Sequence, residues 1–144
     1  MKKTLTLLFL FSAFISNAQN LNKITGLEST APSVAYSLRQ LSTSYTGPLV
    51  RIKVGSNFYD VYPDASTTKF SLSSKISAAI GTYNAGVAAA SANALSTIIS
   101  GSTDATLAIW YDQSGNGVNV LSSSPNAKII SSGSINTING QPTI

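Results

Sequence analysis

The chain has 144 residues, with nine Lys and Arg against five Asp and Glu, a net charge of +4, one Trp, no His and no Cys. The missing histidine excludes His-based metal sites and Ser-His-Asp or Cys-His triads, and the missing cysteine excludes a disulfide framework. The basic residues form no stripe interleaved with aromatics, so nucleic acid is not an expected partner, and no cofactor is expected.

Residues 1–18 read as a secretory signal peptide. Lys2 and Lys3 make a basic start, residues 5–15 an apolar run too short to span a bilayer, and Ser16, Asn17 and Ala18 a small-residue cleavage site. The expected destination is secretion or the cell surface, with no membrane partner after cleavage. Loss of Lys2 and Lys3 leaves seven basic residues against five acidic ones, a net charge of +2 on about 126 residues, enough for one domain.

Residues 19–31 read as a polar, extended lead-in. Pro32 suits the first turn of a helix, with Ser29 or Thr30 as cap, and Val34, Leu38, Leu41 and Tyr45 recur at helical spacing. Gly47 and Pro48 stop that helix. Residues 49–54 alternate as a strand, with Val50, Ile52 and Val54 on one face and Arg51 and Lys53 on the other. Gly55, Ser56 and Asn57 turn the chain, and residues 58–62 return as the hairpin partner. Residues 67–72 are a further candidate strand. Residues 73–100 are rich in Ala and Ser, and 78–92 fit either a helix or an irregular insertion. Residues 106–111 read as a strand from their β-branched and aromatic content, and 112–117 as a sharp polar loop in which Gly115 and Gly117 can take positive φ. Short β-like pieces follow at 118–121, 127–131 and 134–138. This order predicts a mainly β chain, an antiparallel sandwich portion with one or two short helices at its edge.

Three blocks carry a resemblance to a known family. The run IWYDQSGNGVN at 109–119 resembles the YDQSGNG signature in the catalytic domain of alpha-L-arabinofuranosidase B, a secreted glycoside hydrolase with a concanavalin/LamG-like sandwich. Upstream, Ala35-Tyr36-Ser37-Leu38-Arg39 and Tyr45-Thr46-Gly47-Pro48-Leu49-Val50-Arg51 resemble that family's YSLR-type helix and SYTGPLVR-type turn and strand. Asn139-Gly140-Gln141-Pro142 is similar to its NGxPA turn, and residues 93–99 resemble the short helix that precedes its signature strand. The blocks occur in the family's order across residues 32–144, although 69–93 match poorly and the absence of Cys departs from the disulfide-bonded fungal members. The resemblance implies an exported hydrolase that removes terminal arabinofuranosyl units, in L-arabinose and polysaccharide metabolism, with plant-type polysaccharide or another glycan as partner. It also implies that residues 32–144 are the N-terminal part of such a domain, truncated where a strand opens. The family's Glu nucleophile and Asp acid/base lie on later strands and have no match here, so no catalytic residue is carried over.

Glycoside hydrolysis normally uses two carboxylates. The mature chain offers Glu28, Asp60, Asp64, Asp104 and Asp112, and no pair has a spacing that argues for a shared site. Asp60 is placed on a solvated strand surface. Arg39 and Arg51 are suited to bind a carboxylate, but solvated faces are their commoner role. The candidate ligand-binding residues are Trp110, Tyr111, Asp112, Gln113 and Asn116, where a strand runs into a specified loop. Alternation sends Trp110 and Tyr111 to opposite faces, one into the core and one open to a sugar ring. Asp112 has two readings, a sugar-binding side chain or an Asx-type cap on the amides of Ser114 and Gly115. Asp112, Ser114, Asn116 and Gly117 also have the spacing of a calcium loop, but Ser123 stands where the bidentate Glu is needed, so no metal is assigned. Two functions stay open: arabinofuranosidase-like hydrolysis, or a non-catalytic glycan-binding or cell-surface adhesion module.

Overall fold

β1 (Val50–Val54) forms where apolar side chains alternate, and Gly55 at φ 59° reverses the chain into β2 (Asn57–Val61). The two pair antiparallel from Val50 opposite Val61 to Val54 opposite Asn57. The computed structural model describes residues 20–29, 31–122 and 127–144. Its further strands are β3 (Lys75–Ser77), β4 (Ala90–Ala94), β5 (Ala105–Trp110), β6 (Val120–Leu121), β7 (Lys128–Ser131), β8 (Ser134–Ile135), β9 (Thr137–Ile138) and β10 (Gln141–Pro142). One curled antiparallel sheet runs β4-β3-β2-β1-β5-β7-β8, with β6 also paired to β5. β9 and β10 form a separate ribbon around Asn139 and Gly140, both at positive φ as a two-residue hairpin turn requires.

The main core lies on one face of the sheet and joins Leu49, Val50, Ile52, Val61, Ile76, Leu107, Ile129 and Ile130 to Leu38, Phe70 and Leu95 from the connecting segments. Each such side chain contributes about 1.5–3 kcal/mol when fully buried. The register between β1 and β5 slips: Arg51 faces Ile109, but Ile52 faces Leu107, leaving Ala108 as an extra residue. This bulge changes the phase of alternation. Leu107 and Trp110 pack toward the main core, whereas Ala108, Ile109 and Tyr111 join a second cluster with Phe58 and Tyr83.

That second cluster exists because the Ala/Ser-rich segment is laid across the back of the hairpin. Ile80 bridges Phe58 through a reciprocal pair of backbone hydrogen bonds at 2.8 Å. The Arg51 guanidinium donates to the carbonyls of Tyr83, Ala85 and Gly86, and Asp60 accepts from the Ala88 amide. Arg51 and Asp60 are therefore both 0% exposed, joined by two hydrogen bonds of 2.8 and 2.9 Å, in place of the solvated positions expected for them. The same bonds use up carbonyls that a helix over 78–92 would need, and that segment is irregular until β4.

Among the described residues helix is almost absent. The helix expected from Pro32 to Tyr45 does not form, although Ala35, Leu38, Leu41 and Tyr45 are all buried. Its backbone groups are committed elsewhere: the Phe70 amide donates to the Leu38 carbonyl, the Gln40 amide donates to the Thr68 carbonyl, and Gln113 takes several more. Local hydroxyls also compete, with the amides of Arg39 and Ser44 donating to Ser37 and Ser42. The helix expected at 93–99 contracts to one 3₁₀ turn, Leu95–Thr97. The strand expected at 67–72 contracts to an isolated bridge between Arg39 and Lys69. The lead-in is not extended but turns, docking Leu21 and Ile24 on Ala35 and Leu41. The signal-peptide reading of 1–18, Thr30 as a cap and Ser123 in the calcium-type spacing lie outside the described residues. No described helix is long and apolar enough to cross a membrane.

Candidate functional site

The loop after β5 is built around two buried polar side chains. Asp112 Oδ1 accepts from the amides of Ala35 at 2.8 Å and Ser114 at 2.9 Å. Its Oδ2 accepts from the Ser114 hydroxyl at 2.7 Å and the Val118 amide at 3.1 Å. Burial pushes the Asp112 carboxyl up, but these donors outweigh burial and hold it below its ordinary range. The expected cap forms on the Ser114 amide but not on that of Gly115; the remaining bonds run to Ala35 and Val118, so the carboxylate closes the loop and fastens it to a segment 77 residues away. Each oxygen already accepts two hydrogen bonds, so at least one of them would have to be given up for this carboxylate to serve as a calcium ligand.

Gln113 is 0% exposed and completes the clamp. Its Nε2 donates to the carbonyls of Ser37 at 3.1 Å and Arg39 at 3.0 Å, and its Oε1 accepts from the Leu41 amide at 2.9 Å. Its own amide donates to the Ala35 carbonyl at 2.7 Å. Asn116 Nδ2 donates to the carbonyls of Pro32 and Ser33, and the Tyr36 hydroxyl to the Val118 carbonyl. Segment 32–41 is thus shaped by the loop at 112–118, and the two behave as one unit.

Trp110 and Tyr111 lie on opposite faces. Tyr111 is buried, donates to Asp60 Oδ1 at 2.7 Å and borders a hollow of about 410 Å³ with Asn84, Val87, Asn119 and Leu121. Burial first, and the Asp60 hydrogen bond second, hold its phenol protonated above the usual range. Trp110 is half-buried and borders a larger cleft of about 490 Å³ with Ser37, Leu38, Arg39, Lys69, Gln141, Pro142, Thr143 and Ile144. Of the five candidate residues, only Trp110 lines that cleft; Gln113 holds its wall at Ser37 and Arg39 from behind, and Asp112 and Asn116 fix the segment leading into that wall at Pro32, Ser33 and Ala35. The sequence suits Arg39 to a carboxylate without placing it at this site, and it does not single out Lys69 or Gln141 as ligand-binding residues. Nothing in the local spacing joins three residues so far apart, and only the alternation at 67–72 hinted that Lys69 faces outward while Phe70 packs inward.

The acidic residues do not converge. Asp60 is paired with Arg51, and Asp104 accepts from Lys128 at 2.7 Å. Asp64 accepts from Ser66, Thr67 and Ser71, which bring its carboxyl down to about 2, the Ser71 hydroxyl contributing most. Glu28 accepts from the Gly26 amide. Among the described residues there is no group of three or more acidic side chains able to hold a metal, and no Asp or Glu side chain lines the Trp110 cleft. No protein-family model, curated protein or solved structure matches the chain significantly.

Proposed function

We propose that this chain is the glycan-recognising part of an exported, arabinofuranosidase-like protein, with a concanavalin-type sandwich as its complete fold. In this reading the chain binds carbohydrate at the Trp110 cleft and does not itself hydrolyse it. The observation that carries the reading is the composition of the cleft. Ser37 to Arg39, Trp110 and Gln141 to Pro142 come from the three separate sequence blocks that resemble the hydrolase family, and all three line one cleft. A half-buried indole offers a flat face to a sugar ring, while Arg39 and Gln141 can hydrogen-bond its hydroxyls. The absence of a facing carboxylate pair among the described residues favours binding over hydrolysis for this chain.

The test is calorimetric titration of the chain with arabino-oligosaccharides, arabinoxylan fragments and pectic oligosaccharides, alongside release of nitrophenol from an aryl arabinofuranoside. Saturable binding that weakens roughly tenfold or more in Trp110→Ala, without nitrophenol release, is the expected result. Absence of binding to every glycan tested, or turnover by the chain alone, overturns it.

A further inference from the structure

Two cations, Arg39 and Lys69, line the cleft, and no Asp or Glu side chain does. Arg39 and Lys69 form the bridge that joins the 32–41 segment to residues 67–70. The Gln40 amide donates to the Thr68 carbonyl and the Phe70 amide to the Leu38 carbonyl, both at 2.7 Å. That pattern makes Arg39 and Lys69 a non-hydrogen-bonded pair, the closer of the two antiparallel arrangements, with Cα atoms about 4.5 Å apart. Leu38 and Phe70, one residue to either side, are buried in the core. Alternation therefore sends Arg39 and Lys69 together to the outer face, where both border the cleft beside Trp110. Like charges directly opposite each other are destabilising unless something neutralises them.

No Asp or Glu side chain of the described residues does so. Arg51 is neutralised by Asp60 and Lys128 by Asp104, while Asp64, Asp112 and Glu28 are held by hydroxyl and amide donors. Lys23 donates to Gln40. Among the described residues the Arg39 and Lys69 side chains have no hydrogen-bond or ion-pair partner, and no Asp or Glu side chain joins them beside the aromatic face of the cleft.

We propose that the cleft selects an acidic sugar, a glycan unit bearing a uronate carboxylate or a sulfate ester. The anion sits between Arg39 and Lys69, and the ring lies against Trp110. This rests on the glycan reading of the cleft and names its substrate class. The Arg39 guanidinium offers the planar fork that fits a carboxylate or sulfate, and Lys69 adds a point charge.

The experiment titrates the full chain with trigalacturonate, a sulfated disaccharide, neutral arabinotriose and, as a sugar-free polyanion, tripolyphosphate. Wild type is compared with Arg39→Gln, Lys69→Gln, the double variant, the charge-keeping Arg39→Lys and Trp110→Ala, with circular dichroism confirming that each is folded. The expected result is an acidic sugar bound roughly tenfold or more tighter than the neutral one, weakened by added salt and lost in the double Gln variant. Arg39→Lys retains part of that preference. Tighter binding of trigalacturonate identifies the anion as carboxylate, and tighter binding of the sulfated disaccharide as sulfate; either supports the proposal. Equal binding of neutral and acidic sugars, unchanged in the double Gln variant, overturns it and leaves the glycan cleft standing. Tripolyphosphate bound as tightly as either acidic sugar, with no loss in Trp110→Ala, overturns it in favour of plain polyanion binding. No sugar bound at all overturns the glycan reading itself.

Discussion

At the scale of the residue, polar side chains organise this molecule as much as apolar ones do. Gln113 spends its amide on three backbone groups of one extended segment, replacing a helix with a side-chain scaffold. Arg51 and Asp60 do the same for the Ala/Ser-rich segment, each buried and each with hydrogen bonds beyond their shared pair. Such groups are costly to bury alone and tolerable only when every donor and acceptor is answered. Gln113→Ala strands the Leu41 amide and two carbonyls in the interior. We expect a loss of roughly 2–4 kcal/mol, read from urea unfolding, together with increased hydrogen exchange across residues 35–41. A loss under about 0.5 kcal/mol would mean that water substitutes freely and the clamp is not structural.

At the scale of the element, turns and one bulge decide which face each side chain reaches. The β7–β8 turn uses Ser132 at φ 48° and Gly133 at φ 79°. Gly133 also presses on the 100–103 loop: a Cβ there would stand 2.5 Å from the Ser100 carbonyl oxygen, and its amide donates to the Thr103 carbonyl at 2.7 Å. Gly55 has a similar positive φ but open space around it. Gly133→Ala is therefore expected to destabilise by roughly 2 kcal/mol or more, and Gly55→Ala by only about 1 kcal/mol, in parallel thermal melts. Equal effects at the two glycines would show that backbone strain alone matters and that the contact with Ser100 relaxes away.

At the scale of the whole molecule, every shifted acid moves in one direction. Glu28, Asp64, Asp104 and Asp112 all sit below their ordinary range, Asp64 at about 2. The unfolded chain takes up protons on these groups before the folded one does, so the stability they contribute is present in full above the usual carboxylate range and is lost as pH falls toward 2. Tyr45, Tyr62 and Tyr111 are shifted upward, chiefly by burial, so their contribution is lost as pH rises past the ordinary tyrosine range. With no histidine to titrate between, thermal stability is expected to be flat from about pH 5 to 8 and to fall on both sides. Asp64→Asn should flatten part of the acid limb, by about 1 kcal/mol after allowance for solvent screening. An unchanged acid limb in that variant would remove Asp64 from the account.

Much of this organisation is local and could be read along the chain. The β1–β2 hairpin, β5, the polar loop behind it and the Asn139-Gly140 turn depend on alternation, β-branched residues and positive-φ positions, which act between near neighbours in sequence. The Asx role of Asp112 toward Ser114 is equally local. What the amino-acid order left open is where distant groups meet. Helical spacing at 34–45 recorded the burial of Leu38, Leu41 and Tyr45 but neither the exposure of Val34 nor the conformation, because the hydrogen-bond partner that displaces the helix, Gln113, lies more than 70 residues away. Arg51 and Asp60 carried the signature of solvated strand positions until another segment covered them. The cleft followed the same logic: Trp110, Arg39, Lys69 and Gln141 share a wall only because a bulge turns Trp110, a bridge pairs the two cations and a ribbon brings Gln141 alongside. Pattern reports the environment each residue needs, and long-range packing alone chooses which partners provide it.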